Sequence, residues 1–89
     1  MKRIAVIGSG TMGAGIAQVF AQHNFEVCLI DSDQSALDRA QARILKSLEL
    51  QLSKKLINQQ DLDRALEHIV YSTDLKSVNK ETELVIEAI

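Results

Sequence analysis

Residues 4–13 read Ile4-Ala5-Val6-Ile7-Gly8-Ser9-Gly10-Thr11-Met12-Gly13. The first four are apolar and mostly β-branched, which is typical of a strand buried on both faces of a parallel sheet. Glycine then becomes dense, since all four glycines of the chain lie between positions 8 and 15. Because glycine costs backbone entropy wherever it is not required, the cluster indicates positions that need a positive φ or have no room for a Cβ. The stretch therefore predicts a strand, a tight turn and the start of a helix.

The spacing of apolar residues predicts the helices and strands of the rest of the chain. The predicted elements are strand 1 (2–7), a first helix (13–23) ended by a left-handed Asn24, strand 2 (26–30), a long amphipathic helix (about 34–56), a break (58–60), a shorter helix (61–68), strand 3 (69–73), a helical turn (74–78) capped by Asp74, and strand 4 (84–86). This order predicts an α/β fold with a Rossmann-type parallel sheet ordered 3-2-1-4. The long helix and a helical hairpin stand between strands 2 and 3.

Size and composition exclude several classes of protein. Eighty-nine residues hold one domain at most, too little for a cofactor domain and a substrate domain together. The net charge of -2 and the aromatic content of 3% argue against nucleic acid as a partner. No apolar run is long enough for a membrane span or a signal peptide, so we expect a cytoplasmic protein. The single Cys28 lies in an apolar run and is expected to be a small buried hydrophobe.

The glycine turn matches the pattern G-x-G-x-x-G, which is weak alone and strong between a buried strand and a helix. Gly8 permits the tight turn, Gly10 lets the backbone approach a pyrophosphate, and Gly13 allows the helix to pack closely on the strand. Unpaired amides at the helix start, together with the helix dipole, attract an anion without any basic side chain. The turn therefore predicts a dinucleotide site.

Asp31 follows strand 2, 18 residues after Gly13. A carboxylate at this place accepts hydrogen bonds from the adenosine ribose and repels a 2′-phosphate. The nearest downstream arginine is Arg39, so no guanidinium is expected beside Asp31, and NAD is favoured over NADP. The alternative interpretation is a glycine turn that binds nothing, with Asp31 as a cap for the helix at 33–36.

The chain resembles a known family along its whole length. The residues that carry the resemblance are Arg3-Ile4-Ala5-Val6-Ile7-Gly8-Ser9-Gly10-Thr11-Met12-Gly13-Ala14-Gly15-Ile16-Ala17-Gln18, with Ser72-Thr73-Asp74-Leu75 and Leu84-Val85-Ile86-Glu87-Ala88. The sequence is similar to the NAD-binding domain of 3-hydroxyacyl-CoA dehydrogenases, and most like the bacterial 3-hydroxybutyryl-CoA dehydrogenases. The resemblance implies oxidation of a short-chain 3-hydroxyacyl-CoA to a 3-oxoacyl-CoA, as in fatty-acid β-oxidation. It implies that NAD is held by Gly8, Ser9, Gly10, Thr11, Met12 and Gly13, with Met12 on the adenine side, and by Asp31.

Basic residues are dense on the long helix. Five of the ten, Arg39, Arg43, Lys46, Lys54 and Lys55, lie between positions 39 and 55, where Glu49 is the one acid. The stretch is either a solvated face or a site for a phosphate-bearing substrate. Ser47 and Lys54 are seven residues apart and so share one helical face. The resemblance implies that these two contact the nucleotide end of coenzyme A, which makes an acyl-CoA thioester the expected substrate.

The catalytic groups are expected outside this segment. The resemblance implies a His-Glu pair with a Ser and an Asn, all beyond the matched region, so no catalytic residue and no metal ligand is assigned here. His23 and His68 are expected to interact with the terminal carbonyls of their helices, and Glu87 stays unassigned. Residues 1–89 are expected to be the N-terminal part of an NAD-binding domain, without its remainder or the C-terminal helical domain. These residues alone should not catalyse, and a homodimer would form through that missing domain.

Two other functions remain open from the sequence. One is an NAD-dependent dehydrogenase of a small free hydroxy acid, which would have no use for Ser47 and Lys54. The other is a non-catalytic relative that binds NADH and turns over nothing.

Overall fold

The computed structural model describes residues 2–78 and 80–89. In chain order they form β1 (Arg3–Ile7), α1 (Thr11–Gln22), β2 (Glu26–Ile30), α2 (Gln34–Ser53), α3 (Gln59–Glu67), β3 (Ile69–Ser72), a 3₁₀ turn (Leu75–Ser77) and β4 (Thr82–Glu87). The strands are parallel and ordered β3-β2-β1-β4, as the sequence predicts. None of the helices in the described part of the chain is long and apolar enough to cross a membrane.

The three α-helices pack on one face of the sheet and enclose the core there. Ile4, Val27 and Ile69 lie side by side on neighbouring strands and are buried in one apolar cluster. The helix side chains that complete this cluster are Ala14, Ala17 and Ala21 of α1, Leu37, Ala40, Ile44 and Leu48 of α2, and Leu62 and Ala65 of α3. Because the buried side chains that α1 contributes to this cluster are all alanines, that helix lies close to the sheet.

The opposite face of the sheet is only partly covered, since Ala5 is buried there while its neighbours at both sheet edges are exposed. Val70, Cys28, Ala5 and Val85 form a row across it, and Val70 and Val85 are 61% and 46% exposed. Cys28 is a free thiol that is half-buried, and this burial raises its pKa. The expectation that Cys28 is buried is therefore wrong, because no α-helix within residues 2–78 and 80–89 covers this row and the side chain is only half-buried.

Helix α1 begins two residues earlier than the periodicity predicts, at Thr11. It ends at Gln22 with His23 as its C-cap, and Asn24 follows with a φ of 66°, which confirms the predicted left-handed end. An earlier start matters for the site, because it places the helix N-terminus directly behind Gly10.

The hairpin between α2 and α3 differs from the prediction at both helix ends. Helix α2 ends at Ser53, short of position 56, because Lys54 caps it and Lys55 turns the chain with a φ of 60°. The predicted break between the two helices is present, but it lies at 54–58 and not at 58–60. Asn58 instead caps α3 in a capping box with Asp61, so positions 59 and 60 are already helical.

Three of the four strands also differ from the prediction at one or both ends, β1 by starting at Arg3. Strand β3 stops at Ser72, and β4 extends over Thr82–Glu87, longer than the three residues predicted. The predicted turn after β3 is confirmed, with Asp74 accepting a hydrogen bond from the amide of Lys76.

Candidate dinucleotide site

The turn between β1 and α1 requires glycine at two of its positions. Gly8 has a φ of 101°, in the left-handed region that side chains disfavour. A Cβ on Gly13 would stand 1.7 Å from the carbonyl oxygen of Gly8. Strand and first helical turn are therefore in direct backbone contact, and both residues shape the turn without any ligand.

Gly10 differs from these two. Its φ of -67° suits any residue, and a Cβ built on it would meet no atom within 4 Å. The folded chain itself gives no reason for a glycine here. The free space in front of Gly10 is what a pyrophosphate approaching the backbone needs.

The N-terminus of α1 has no side chain to satisfy its amides. Its N-cap is Gly10, and no side-chain hydrogen bond closes it. Helices α2 and α3 and the 3₁₀ turn begin instead with the capping side chains of Asp33, Asn58 and Asp74. Unpaired amides at the positive end of a helix dipole form an anion site. Within residues 2–78 and 80–89, only α1 offers such an end at the carboxyl edge of the sheet.

Asp31 lies directly beside this turn. Its Oδ2 accepts hydrogen bonds from the amide of Ser9 at 3.0 Å and from the Ser9 hydroxyl at 2.9 Å. Its Oδ1 accepts one from the amide of Asp33 at 3.0 Å. The Asp33 amide, followed by the two Ser9 groups, lowers the pKa of Asp31 below its ordinary value of 3.8. Asp31 is therefore a carboxylate at neutral pH.

Asp31 retains capacity for a ligand. A carboxylate offers about four acceptor positions, of which Ser9 and Asp33 fill three. The remaining position, on Oδ1, is open to a ribose hydroxyl. Ser9 itself is 2% exposed, so its side chain holds Asp31 in place. The alternative of Asp31 as the helix cap is wrong, because Asp33 caps α2.

Arg39, the nearest downstream arginine, lies on α2. Its Nη1 donates to the Ser35 hydroxyl at 3.3 Å, back toward the start of α2. Its charge contributes to the lowered pKa of Asp31, after the hydrogen bonds. Among the described residues the two form no ion pair. Among residues 2–78 and 80–89, therefore, no guanidinium contacts Asp31 directly, and the charge of Arg39 acts on this carboxylate only at longer range.

Ser47 and Lys54 lie along one side of α2. The Ser47 hydroxyl accepts a hydrogen bond from Gln18 of α1 at 3.0 Å, and one turn further Gln51 accepts from Gln22 at 2.8 Å. Positions 47, 51 and 54 share a face, so Lys54, the exposed C-cap, continues the line of residues that face α1. Of the basic stretch, Arg43, Lys46, Lys54 and Lys55 are exposed and make no ion pair within residues 2–78 and 80–89.

The two histidines behave differently. His23 Nδ1 contacts the carbonyl oxygen of Val19 at 2.7 Å, which confirms its predicted place at the end of α1. His68 meets the terminal carbonyls of α3 through its backbone amide, which donates to Arg64 and Ala65 at 3.2 Å. Its side chain does not, since the buried Nδ1 has no hydrogen-bond partner in the described part of the chain. Glu87 is exposed at the end of β4 and has no assigned role. Three or more His, Cys, Asp or Glu side chains do not meet in metal-binding geometry among the described residues.

The sequence analysis does not identify two residues that hold predicted site residues in place. Asp33 donates its amide to Asp31 and caps α2, and its position two residues after Asp31 is a signal for such a turn. Gln18 contacts Ser47 across 29 positions. Nothing in a single sequence indicates that pairing.

A parallel sheet with a glycine turn, an uncapped helix start and a carboxylate at the next strand end defines a Rossmann-type dinucleotide-binding domain. The family model described as "3-hydroxyacyl-CoA dehydrogenase, NAD binding domain" matches residues 3–89. The chain belongs to that family, and NAD is the cofactor of its site.

Known proteins agree with this assignment. The 3-hydroxybutyryl-CoA dehydrogenase of Mycobacterium tuberculosis is 36% identical over 89 residues, which are 100% of this chain and 31% of the relative. The human mitochondrial hydroxyacyl-coenzyme A dehydrogenase is 38% identical over 94 residues, covering 100% of this chain and 30% of its own. The crystal structure of M. tuberculosis FadB2 superposes with a TM-score of 0.95 at 36% identity, covering 100% and 31% of the two chains. The chain thus spans about a third of the length of the curated relatives it matches.

Proposed function

We propose that this chain supplies the NAD site of a longer enzyme that oxidises a short-chain 3-hydroxyacyl-CoA to the 3-oxoacyl-CoA. The observation that carries the proposal is the open N-terminus of α1 beside Asp31, in a chain of this family. Residues 1–89 would be the first part of the NAD-binding domain, followed by its remainder and a helical domain. The 31% share of the mycobacterial relative supports this division.

Bound NAD would supply the hydride acceptor for such an oxidation. The chain's own contribution is binding and orientation. The first amides of α1, at positions 11–13, would hold the pyrophosphate, and Asp31 would accept from the adenosine ribose. Met12 is 67% exposed at the helix start and would cover the adenine side. No residue of this segment is proposed as the base or as a donor to the substrate oxygen.

The nucleotide end of coenzyme A would bind at Ser47 and Lys54. The geometry that supports this proposal is the shared side of α2, where a half-buried hydroxyl and an exposed lysine follow each other. A lysine suits phosphate as a point charge, and a hydroxyl can donate to one of its oxygens. The unpaired basic residues nearby add a positive field for the same phosphates.

The first experiment measures NADH oxidation by the full-length protein that carries this segment, with acetoacetyl-CoA as substrate and NADPH in parallel. We expect oxidation of NADH that depends on the thioester and largely fails with NADPH, because Asp31 repels the 2′-phosphate. NADH binding without turnover would refute the dehydrogenase and favour the non-catalytic relative. Turnover of a free hydroxy acid and not of the thioester would favour the other alternative.

A second experiment tests the coenzyme A site. Lys54→Ala should raise the KM for acetoacetyl-CoA about threefold to tenfold, the size of one exposed charge-assisted contact, and leave the KM for NADH unchanged. Lys46→Ala is the matched control, since Lys46 is also exposed on α2 but lies on another face. It removes the same charge from the surrounding field without the direct contact, so it should raise this KM less than Lys54→Ala does. Equal KM values in Lys54→Ala and the unmodified enzyme would remove the coenzyme A assignment.

The cellular setting is part of the same proposal. A cytoplasmic homodimer is expected, with the contact made outside residues 1–89. The human relative is named as mitochondrial, so cell fractionation is needed along with light scattering on the full-length protein. A monomer, or recovery from a membrane-bounded compartment, would correct these two points without touching the NAD site.

A further inference from the structure

Gln18 is a buried polar residue of α1. The proposed function assigns it no role. It is 8% exposed, and with Ser9 it makes up the buried polar set of the described chain. Its side chain points across the contact between α1 and α2, where Nε2 lies 3.0 Å from Ser47 Oγ. The residue therefore joins the helix that starts at the glycine turn to the proposed coenzyme A site.

The amide of Gln18 fixes which way the Ser47 hydroxyl points. Gln18 Nε2 donates to Ser47 Oγ and also to Gln22 Oε1, at 3.3 Å. An NH₂ group has two hydrogens and no acceptor capacity, so the Ser47 oxygen must be the acceptor. The hydroxyl proton of Ser47 has no acceptor among residues 2–78 and 80–89. It is available to a ligand on the outer side of the contact.

We propose that Gln18 is a positioning residue for the coenzyme A substrate. By donating to Ser47 Oγ, it turns the Ser47 proton toward a phosphate oxygen of the nucleotide. Without this bond, a serine inside a helix commonly donates to a carbonyl one turn earlier. Ser47 would then have no proton to offer the substrate. This inference rests on the proposed function, since it needs acyl-CoA as the substrate.

The test compares two substrates in the full-length enzyme. Acetoacetyl-CoA carries the nucleotide, and acetoacetyl-pantetheine lacks it. Gln18→Met keeps the length of the side chain and removes the donor. It should raise the KM for acetoacetyl-CoA about threefold to tenfold, the effect of one hydrogen bond. The KM for acetoacetyl-pantetheine, the KM for NADH and kcat should stay unchanged.

Gln22→Met is the matched control. Gln22 lies one turn along the same helix and donates to Gln51 without touching a hydroxyl. Its replacement also removes the second acceptor of the Gln18 amide but leaves the Gln18–Ser47 bond in place. A purely structural role for Gln18 predicts the same kinetics in both variants, or equal KM increases for both thioesters. Either result would overturn the proposal.

Two further variants keep the test decisive. In a Ser47→Ala background, Gln18→Met should raise the KM for acetoacetyl-CoA no further, because the group it positions is gone. An additional increase would overturn the positioning role.

Gln18→Glu tests the direction of the hydrogen bond. The variant keeps the size of the side chain but offers only acceptors, so it should draw the Ser47 proton inward and raise the KM for acetoacetyl-CoA more than Gln18→Met does. A smaller increase would contradict the direction of the hydrogen bond.

The failure of this inference can be told from failure of the proposed function. If the unmodified enzyme oxidises no NADH with acetoacetyl-CoA, the proposed function falls and the inference falls with it. If turnover is present and Ser47→Ala leaves every KM unchanged, the dehydrogenase stands and the role of Gln18 is refuted.

Discussion

Helices α1 and α2 begin at the same edge of the sheet, each after a parallel strand, and their N-termini are built in opposite ways. Asp33 closes α2, accepting hydrogen bonds from the amide of Ser35 at 3.0 Å and from its hydroxyl at 2.7 Å. Gly10 leaves α1 open. Since a side chain often satisfies the amides at a helix start, we expect the open end to be the place where a ligand supplies the anion.

The four glycines also fall into two groups, those that the fold requires and those that it does not. Gly8 and Gly13 are required by the fold, through a positive φ and a backbone contact. Gly10 and Gly15 have free space where a Cβ would stand. Glycines of one motif can therefore serve either the fold or the binding of a ligand, and substitutions can tell these two roles apart.

The largest effect is expected at Gly13. Gly13→Ala places a methyl group 1.7 Å from a carbonyl oxygen, so helix and strand must move apart. The free energy of unfolding should fall by about 3 kcal/mol, the upper range for overpacking. Urea unfolding of the full-length protein measures it. The control is Gly15→Ala in the same helix, which should be neutral or stabilise by up to about 1 kcal/mol. Equal loss in both variants would contradict the assigned contact.

Asp31 should have the next largest effect, on cofactor binding. Asp31→Asn removes the charge that accepts from the ribose, and should weaken NADH binding about tenfold to a hundredfold, as for hydrogen bonds to charged groups. Binding of NADPH should change less, because repulsion of the 2′-phosphate is lost at the same time. Titration of NADH fluorescence measures both constants. An unchanged preference for NADH would mean that another residue selects the cofactor.

The pH dependence of the Asp31 contribution follows from its lowered pKa. The folded state binds the proton more weakly than the unfolded chain, so the stabilisation is present above the ordinary value of 3.8 and is lost as the pH falls through the lowered pKa. From about pH 5 to 9 the charge is constant, and NADH affinity should not vary through this group. A midpoint within that window would have to come from a different residue.

Gly10→Ala separates binding from folding. Its Cβ meets nothing in the structure, so the free energy of unfolding should fall by less than about 1 kcal/mol, the preference for glycine over alanine at an N-cap. NADH affinity should drop at least about tenfold, because the methyl group occupies the space of the pyrophosphate. Unchanged affinity would show that the cofactor does not approach the backbone there.

Features that depend on residues close together in the sequence could be predicted, and contacts between residues far apart could not. The turn, the sheet order and Asp31 at the end of β2 depend on local rules, so the pattern was enough. The pairs Ser9–Asp31 and Gln18–Ser47 join positions 22 and 29 apart, and polar pairings of this range leave no mark in one sequence. Lys55 takes a left-handed φ although it is neither Gly nor Asn, which is why α2 was predicted too long. Asn58 and Asp61 form a capping box, a signal for the start of a helix and not for the break predicted at 58–60.

The smallest effect is expected at the closed helix end. Asp33→Ala should lower the folding equilibrium constant about fivefold, as loss of an N-cap does, and leave NADH affinity unchanged. The amide of Asp33, which holds Asp31, is still present in this variant. Asp33→Ser keeps a capping oxygen and serves as the control in the same urea unfolding series. If Asp33→Ala weakened NADH binding as much as Gly10→Ala, the two helix ends would not be independent, and the contrast between a closed and an open N-terminus would fail.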